Sequence, residues 1–155
     1  MKQTYSLSRL ACAFAVLLLC LSCTNLSAGT IYVQTNLVSD VPGLAATTDP
    51  NLKNPWGMSF SPTSPFWISD QATGLKTLYD GAGGIVPLVV TIPTIGVPSG
   101  PTGQVFNGTT DFNLPDGMPA PFLFDTLDSQ ILGWNGGTTA VNVATTPGAI
   151  YTGWQ

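Results

Sequence analysis

The sequence predicts an all-β chain of short antiparallel strands, and two observations carry that prediction. A tripeptide ending in glycine recurs: Pro55-Trp56-Gly57, Pro101-Thr102-Gly103 and Tyr151-Thr152-Gly153 set their glycines 46 and 50 residues apart. Asp70–Gly81 also aligns without a gap to Asp125–Gly136, with Asp on Asp, Tyr79 on Trp134, Asp80 on Asn135 and Gly on Gly. A period in the forties with several short strands per unit is that of a β-propeller blade. The expected architecture is a β-propeller fragment of about two four-stranded antiparallel blades. These are the units 55–100 and 101–147, with a third unit cut short at 155, all preceded by an N-terminal strand and a signal-peptide helix.

Residues 1–28 read as the signal peptide. Lys2 and Arg9 make a positive start, and Leu10–Leu21 is an apolar run too short for a membrane span, which needs about 20 residues. Ser27-Ala28-Gly29 offers small residues for cleavage, leaving 29–155 as a partial propeller domain with no transmembrane span. Lipidation at Cys23 is the alternative, although Cys20 stands where a lipobox carries Leu. All three cysteines precede Thr24, so no disulfide can staple the domain.

Within the domain, Ile31–Val38 reads as the first strand and Thr47–Asn54, interrupted by Pro50, as a loop. The first unit follows as Gly57–Phe60, Phe66–Ser69, Leu75–Tyr79 and Ile85–Ile92. Asp80-Gly81 closes its third strand as a turn, and Pro87 marks the fourth as a sheet edge, because proline cannot donate to the ladder. The second unit repeats the order as Gln104–Phe106, Phe122–Phe124, Ile131–Trp134 and Ala140–Ala144. Its Asp-to-Asp offset of 55 against 46 for the glycines places nine extra residues within Gly108–Ala120.

Several of these segments carry a resemblance. Tyr32–Asp40, Asn54-Pro-Trp-Gly57, Pro65-Phe-Trp67, Thr77–Gly81 and Phe122-Leu-Phe124 with Gly133-Trp-Asn135 are similar to bacterial exported proteins of the NHL-like propeller kind, some of which bear PEP-CTERM sorting signals. The resemblance implies a six-bladed propeller, placement outside the cell or on its surface, and no particular activity. Its members are longer than this chain, so the sequence reads as an N-terminal portion whose open blade faces would self-associate.

Composition narrows function. Beyond the signal segment, two lysines, Lys53 and Lys76, face eight aspartates, a formal charge near −6 that disfavours nucleic acid. The domain has no His, Glu or Cys, which removes a Ser-His-Asp triad, a Cys-His pair and a His-based zinc site. The leading expectation is an exported, non-catalytic module binding a protein or carbohydrate, with no cofactor. The alternatives are a fragment of an NHL-like lyase or lactonase with its catalytic residues elsewhere, and a structural component of the envelope or matrix.

Candidate residues are few. Asp70 and Asp125 are expected at equivalent strand ends, with Asp128 three residues on; each could ligate a hard cation, but without the dense alternation of a calcium loop. The competing reading has each carboxylate accepting amides of the following turn. Most aromatics belong to packing between sheets. Trp56 stands apart because its repeat counterpart is Thr102, so the repeat does not require an indole there. The Gly108–Ala120 insertion, carrying Asp111 and Asp116, is the remaining binding candidate, since loops on rigid scaffolds often hold recognition sites. Asn107-Gly-Thr109 matches a glycosylation acceptor but reads as a turn.

Overall fold

The computed structural model describes residues 32–153. Residues 1–28, expected as a signal peptide, and Cys23 lie outside them. Among the described residues there is no helix, hence none long and apolar enough to cross a membrane. The elements are β1 (Val38–Ser39), β2 (Thr47–Thr48), β3 (Pro55–Ser59), β4 (Phe66–Asp70), β5 (Leu75–Tyr79), β6 (Val90–Thr91), β7 (Pro101–Phe106), β8 (Phe122–Thr126), β9 (Gln130–Trp134) and β10 (Val141–Thr145).

Two open four-stranded antiparallel sheets form. Sheet 1 runs β3-β4-β5-β6 and sheet 2 runs β7-β8-β9-β10, each strand pairing with its sequence neighbour. The expected N-terminal strand is corrected: Tyr32–Leu37 are not in a strand, and Val38–Ser39 pair in parallel with Thr47–Thr48, inside the segment expected as a loop. The expected fourth strand, Ile85–Ile92, is also shorter. Only Val90–Thr91 join the sheet and Ile85 makes an isolated bridge to Tyr79, because Pro87 falls between them and breaks the ladder.

Residues alternate across each strand, which fixes what each face buries. Trp67, Lys76, Leu78 and Val90 of sheet 1 point toward sheet 2 and meet Phe122, Phe124, Leu132 and the half-buried Trp134 in one core. The Trp67 ring stacks on Phe122 with centroids 4.5 Å apart and meets Trp134 edge-on at 4.7 Å. On its far face, sheet 2 buries Leu123 against Leu114 and Ala120.

The pairings show how closely the sheets correspond. Pro55 pairs with Asp70 and Pro101 with Thr126; Met58 pairs with Ile68 and Gln104 with Phe124. Phe66 pairs with Tyr79 and Phe122 with Trp134. Tyr79 and Trp134 are therefore equivalent, as the alignment requires. Asp70 and Asp125 are not. Asp70 corresponds to Thr126, and Asp125 to Ser69, because the connection after β8 is one residue shorter (127–129 against 71–74). Ser129 turns that shorter connection at φ 73° and Gly74 turns the longer one at φ 70°.

Candidate functional site: a mouth between the first strands

The first strands, β3 and β7, lie side by side, and glycine makes the approach possible. A Cβ on Gly57 would stand 2.4 Å from the Thr102 carbonyl oxygen and 3.3 Å from Gly103 Cα, so only a residue without one fits. The Gln104 side-chain amide spans the junction, donating to the carbonyl oxygens of Gly57, at 2.8 Å, and of Trp67. Thr102 Oγ1 sits 2.5 Å from Asp125 Oδ1 and 2.8 Å from the Tyr151 carbonyl oxygen, so one hydroxyl proton is shared between two acceptors. The three recurring tripeptides thus meet.

They bound a hollow of about 260 Å³ lined by Trp56, Gly57, Thr102, Gly103, Thr152 and Gly153, with Met58 and Gln104 at its sides. None of these residues carries a formal charge. The Trp56 ring is half-exposed, whereas its counterpart Thr102 is buried. Gln104 Oε1 is buried without a hydrogen-bond partner among the described residues. The mouth therefore offers an aromatic surface and uncharged strand ends, and no acid, base or nucleophile of altered pKa.

The aspartates weighed as cation ligands serve separate local roles. Among the described residues, no three acidic, His or Cys side chains gather where they could hold a metal ion. Asp125 accepts from Thr102 Oγ1 and the Gly103 amide, fastening the irregular stretch of β7 between Pro101 and Gln104. Asp128 accepts from the amides of Ile95, at 2.6 Å, and Gly96 and from Gln130. Burial works against the Asp128 carboxylate, but the hydrogen bonds it receives outweigh this and hold its pKa below the ordinary value. The expectation that Asp70, Asp125 and Asp128 accept amides of the following turn is thus corrected: at Asp70 and Asp125 the partners come from strands, and at Asp128 from the amides of a distant loop and the side chain of Gln130. Asp80 does accept its own turn's amides, from Ala82 and Gly84.

Asp70 is fully buried. Its Oδ2 accepts from Thr77 Oγ1 at 2.7 Å and its Oδ1 has no partner among the described residues. Burial pushes its pKa up to about 7, against the pull of Thr77 and Lys76. The neighbouring Lys76 is the residue that the sequence reading passed over. Its ammonium end is wholly enclosed between the sheets, bonded to Ser69 Oγ and 4.3 Å from the centre of the Phe124 ring. Desolvation drives its pKa well down, with Asp125 and Asp70 opposing. A lysine in Leu75-Lys-Thr-Leu-Tyr79, where polar and apolar residues come in pairs and not in alternation, gives no sequence signal of such burial.

The insertion divides into two parts. Leu114 and Ala120 are buried against sheet 2, so part of the segment is a structural lid. A Cβ on Gly133 would meet Leu114 Cδ2 at 2.7 Å and Ala120 Cβ at 2.8 Å, so the lid closes over a glycine. Asp116 tethers it, accepting from Asn135 Nδ2 at 2.8 Å and from the Met118 amide. The Asp111 side chain is exposed. Both Nδ2 hydrogens of Asn107 are used internally, on the carbonyls of Asp111 and Ala120. No protein-family model, curated protein or solved structure matches this chain.

Proposed function

We propose that this chain is an exported, non-catalytic binding module of the β-propeller type, and that its ligand site is the mouth at Trp56. The observation that carries this reading is the convergence of three repeat openings on one hollow in which a single position, Trp56, breaks the repeat with an exposed indole. Its counterparts Thr102 and Thr152 show that the strand pattern itself has no need of that ring. The ligand the lining suits is neutral, with one apolar face to lie on the indole and hydroxyls to reach the strand ends, the chemistry of a sugar ring. An acidic chain with an uncharged mouth has no attraction for anionic ligands.

The test begins with protein recovered from the medium or envelope of an expressing bacterium. Intact mass is expected to show loss of a segment ending between residues 22 and 29; an unprocessed chain retained in the cytoplasm removes the export part. The recovered protein is then titrated with neutral oligosaccharides, followed by tryptophan fluorescence. Trp56→Thr, which copies the second repeat, is expected to keep the fold and weaken binding at least tenfold. Unchanged affinity in a folded Trp56→Thr removes the mouth as the site.

A further inference from the structure

A second hollow opens where the β8–β9 connection, Leu127-Asp128-Ser129, lies between the chain that leads into β7 and the chain that leaves β10. It measures about 470 Å³ and shares no residue with the mouth at Trp56. Ile95, Val97 and Pro98 form one wall, Pro147 and Ile150 the other, and Ile95, Val97 and Ile150 are each at least 59 % exposed. Both walls are pinned to the connection between them. Asp128 accepts from the amides of Ile95 and Gly96, and Ser129 Oγ donates to the Ala149 carbonyl oxygen at 2.6 Å.

Asp128 is the one charged residue lining this hollow. The two amides and the Gln130 side chain that it accepts from are neutral, so its charge is stabilised locally but not neutralised. No lysine answers it: Lys53 pairs with Asp40, and Lys76 is enclosed between the sheets. The repeat shows that the fold does not demand a carboxylate here. In each unit the first amide of the connection, of Gln71 or of Leu127, donates to the carbonyl of the residue before the first strand, Asn54 or Gly100. Unit 1 then ties its connection to the incoming chain with an uncharged group, Thr73 Oγ1 on the Asn51 carbonyl oxygen at 3.0 Å. Unit 2 uses an acid for that tie and leaves an apolar-walled hollow beside it.

We propose that this hollow is a second binding site, independent of the mouth, for an organic cation with an aliphatic body: its ammonium group faces the Asp128 carboxylate and its chain lies on Ile95, Val97 and Ile150. A mostly apolar cleft with one or two placed polar groups is the usual construction of a small-ligand site. Apolar walls strengthen the attraction of the carboxylate for an opposite charge, and an acidic chain draws cations toward it. A free alkylamine and a lysine of a partner chain present the same group, and the test separates them.

Calorimetric titration of the full chain with hexylammonium, hexanol and hexanoate tests this. Hexylammonium is expected to bind saturably, hexanol at least tenfold more weakly and hexanoate not at all, with the hexylammonium affinity falling as salt is added. Asp128→Asn keeps an oxygen for the Ile95 and Gly96 amides and is expected to weaken hexylammonium at least tenfold. Asp111→Asn removes the same charge from an exposed place and is expected to leave the affinity unchanged, which separates the site from the general pull of an acidic chain. If Asp128→Asn loses its near-ultraviolet dichroism, Val97→Lys replaces it, since Val97 is 92 % exposed and a cation there competes for Asp128. Tighter binding of Nα-acetyllysine methylamide than of hexylammonium assigns the cation to a partner's lysine, and the reverse order assigns it to a free amine. Absence of saturable hexylammonium binding overturns the proposal. So does hexanol binding as tightly, or a folded Asp128→Asn that binds hexylammonium as the wild type does.

Discussion

Sheets 1 and 2 are built alike and buried differently. Both are four-stranded meanders, and Phe66, Ile68 and Tyr79 of the first occupy the places of Phe122, Phe124 and Trp134 of the second. In sheet 2 these residues enclose Trp67, and Phe124 and Phe122 are 0 % and 3 % exposed. In sheet 1 Phe66 and Ile68 are half-exposed around a hollow that the segment 37–55 covers only in part. The far faces differ in the same way. Leu78 fills the sheet interface, while its counterpart Gly133 leaves room for a lid made by the insertion. Strand formation follows the short apolar runs and the turns that bound them, which both repeats share; burial follows from what stands beside each sheet, which they do not.

The comparison predicts its largest difference at one equivalent pair. Phe124→Ala opens a cavity in the shared core and is expected to cost about 3–5 kcal/mol. Ile68→Ala, at the matching position of sheet 1, removes a half-exposed side chain and is expected to cost about 1 kcal/mol. Urea unfolding of both variants measures the gap. Equal losses would mean that the outward face of sheet 1 is as enclosed as the interface, and the contrast drawn between the sheets would fail.

A smaller effect of opposite sign is expected at Lys76. Its counterpart in sheet 2 is Ile131, an apolar residue, so the repeat accommodates a side chain without charge there. Lys76→Met removes an enclosed amine while keeping its length and its contact with Phe124, and is expected to stabilise by about 1–2 kcal/mol at neutral pH. Burial lowers the folded-state pKa of Lys76, so the unfolded chain binds the extra proton below the ordinary value of 10.5. Wild-type stability therefore rises with pH through that window, and the gain from Lys76→Met shrinks as pH climbs toward 10. A gain that grows with pH would contradict this assignment.

Much of this was legible in the sequence, and the failures have physical causes. Glycine and proline punctuation placed seven of the eight strands of the two sheets to within three residues, the exception being the fourth, where only Val90–Thr91 of Ile85–Ile92 pair, because turns at Asp80-Gly81 and Asn135-Gly136 depend on local backbone preference. The one-residue difference between the β4–β5 and β8–β9 connections was invisible, since a gapless alignment of Asp70 with Asp125 hides a shift taken up by Ser129 at positive φ. That shift sends the two carboxylates to opposite faces and removes the expected equivalence. Trp56 was marked by its mismatch with Thr102, but the hollow around it needs three segments brought together across the fold. Nothing local reveals that the insertion contributes Leu114 and Ala120 to a core, or that Lys76 lies inside one.

Asp70 offers the finest discrimination between the sheets, because its counterpart is the uncharged Thr126. Burial raises the folded-state pKa of Asp70 to about 7 from an ordinary 3.8. The folded protein thus binds more protons than the unfolded chain between those values, and stability is lost as pH rises through that window. Asp70→Asn carries no such titration. Whatever constant offset the amide brings, the stability of Asp70→Asn relative to wild type is expected to improve by about 3–4 kcal/mol between pH 4 and pH 8. Thermal unfolding at four or five pH values measures it, and a difference that stays flat refutes the raised pKa. Lys76 sharpens the test, since its charge opposes the rise at Asp70. In a Lys76→Met background the carboxylate loses that support, so the pH-dependent gain from Asp70→Asn is expected to become larger and to extend to higher pH. An unchanged gain there would show that the two groups do not sense each other, and that the buried charges of sheet 1 act independently.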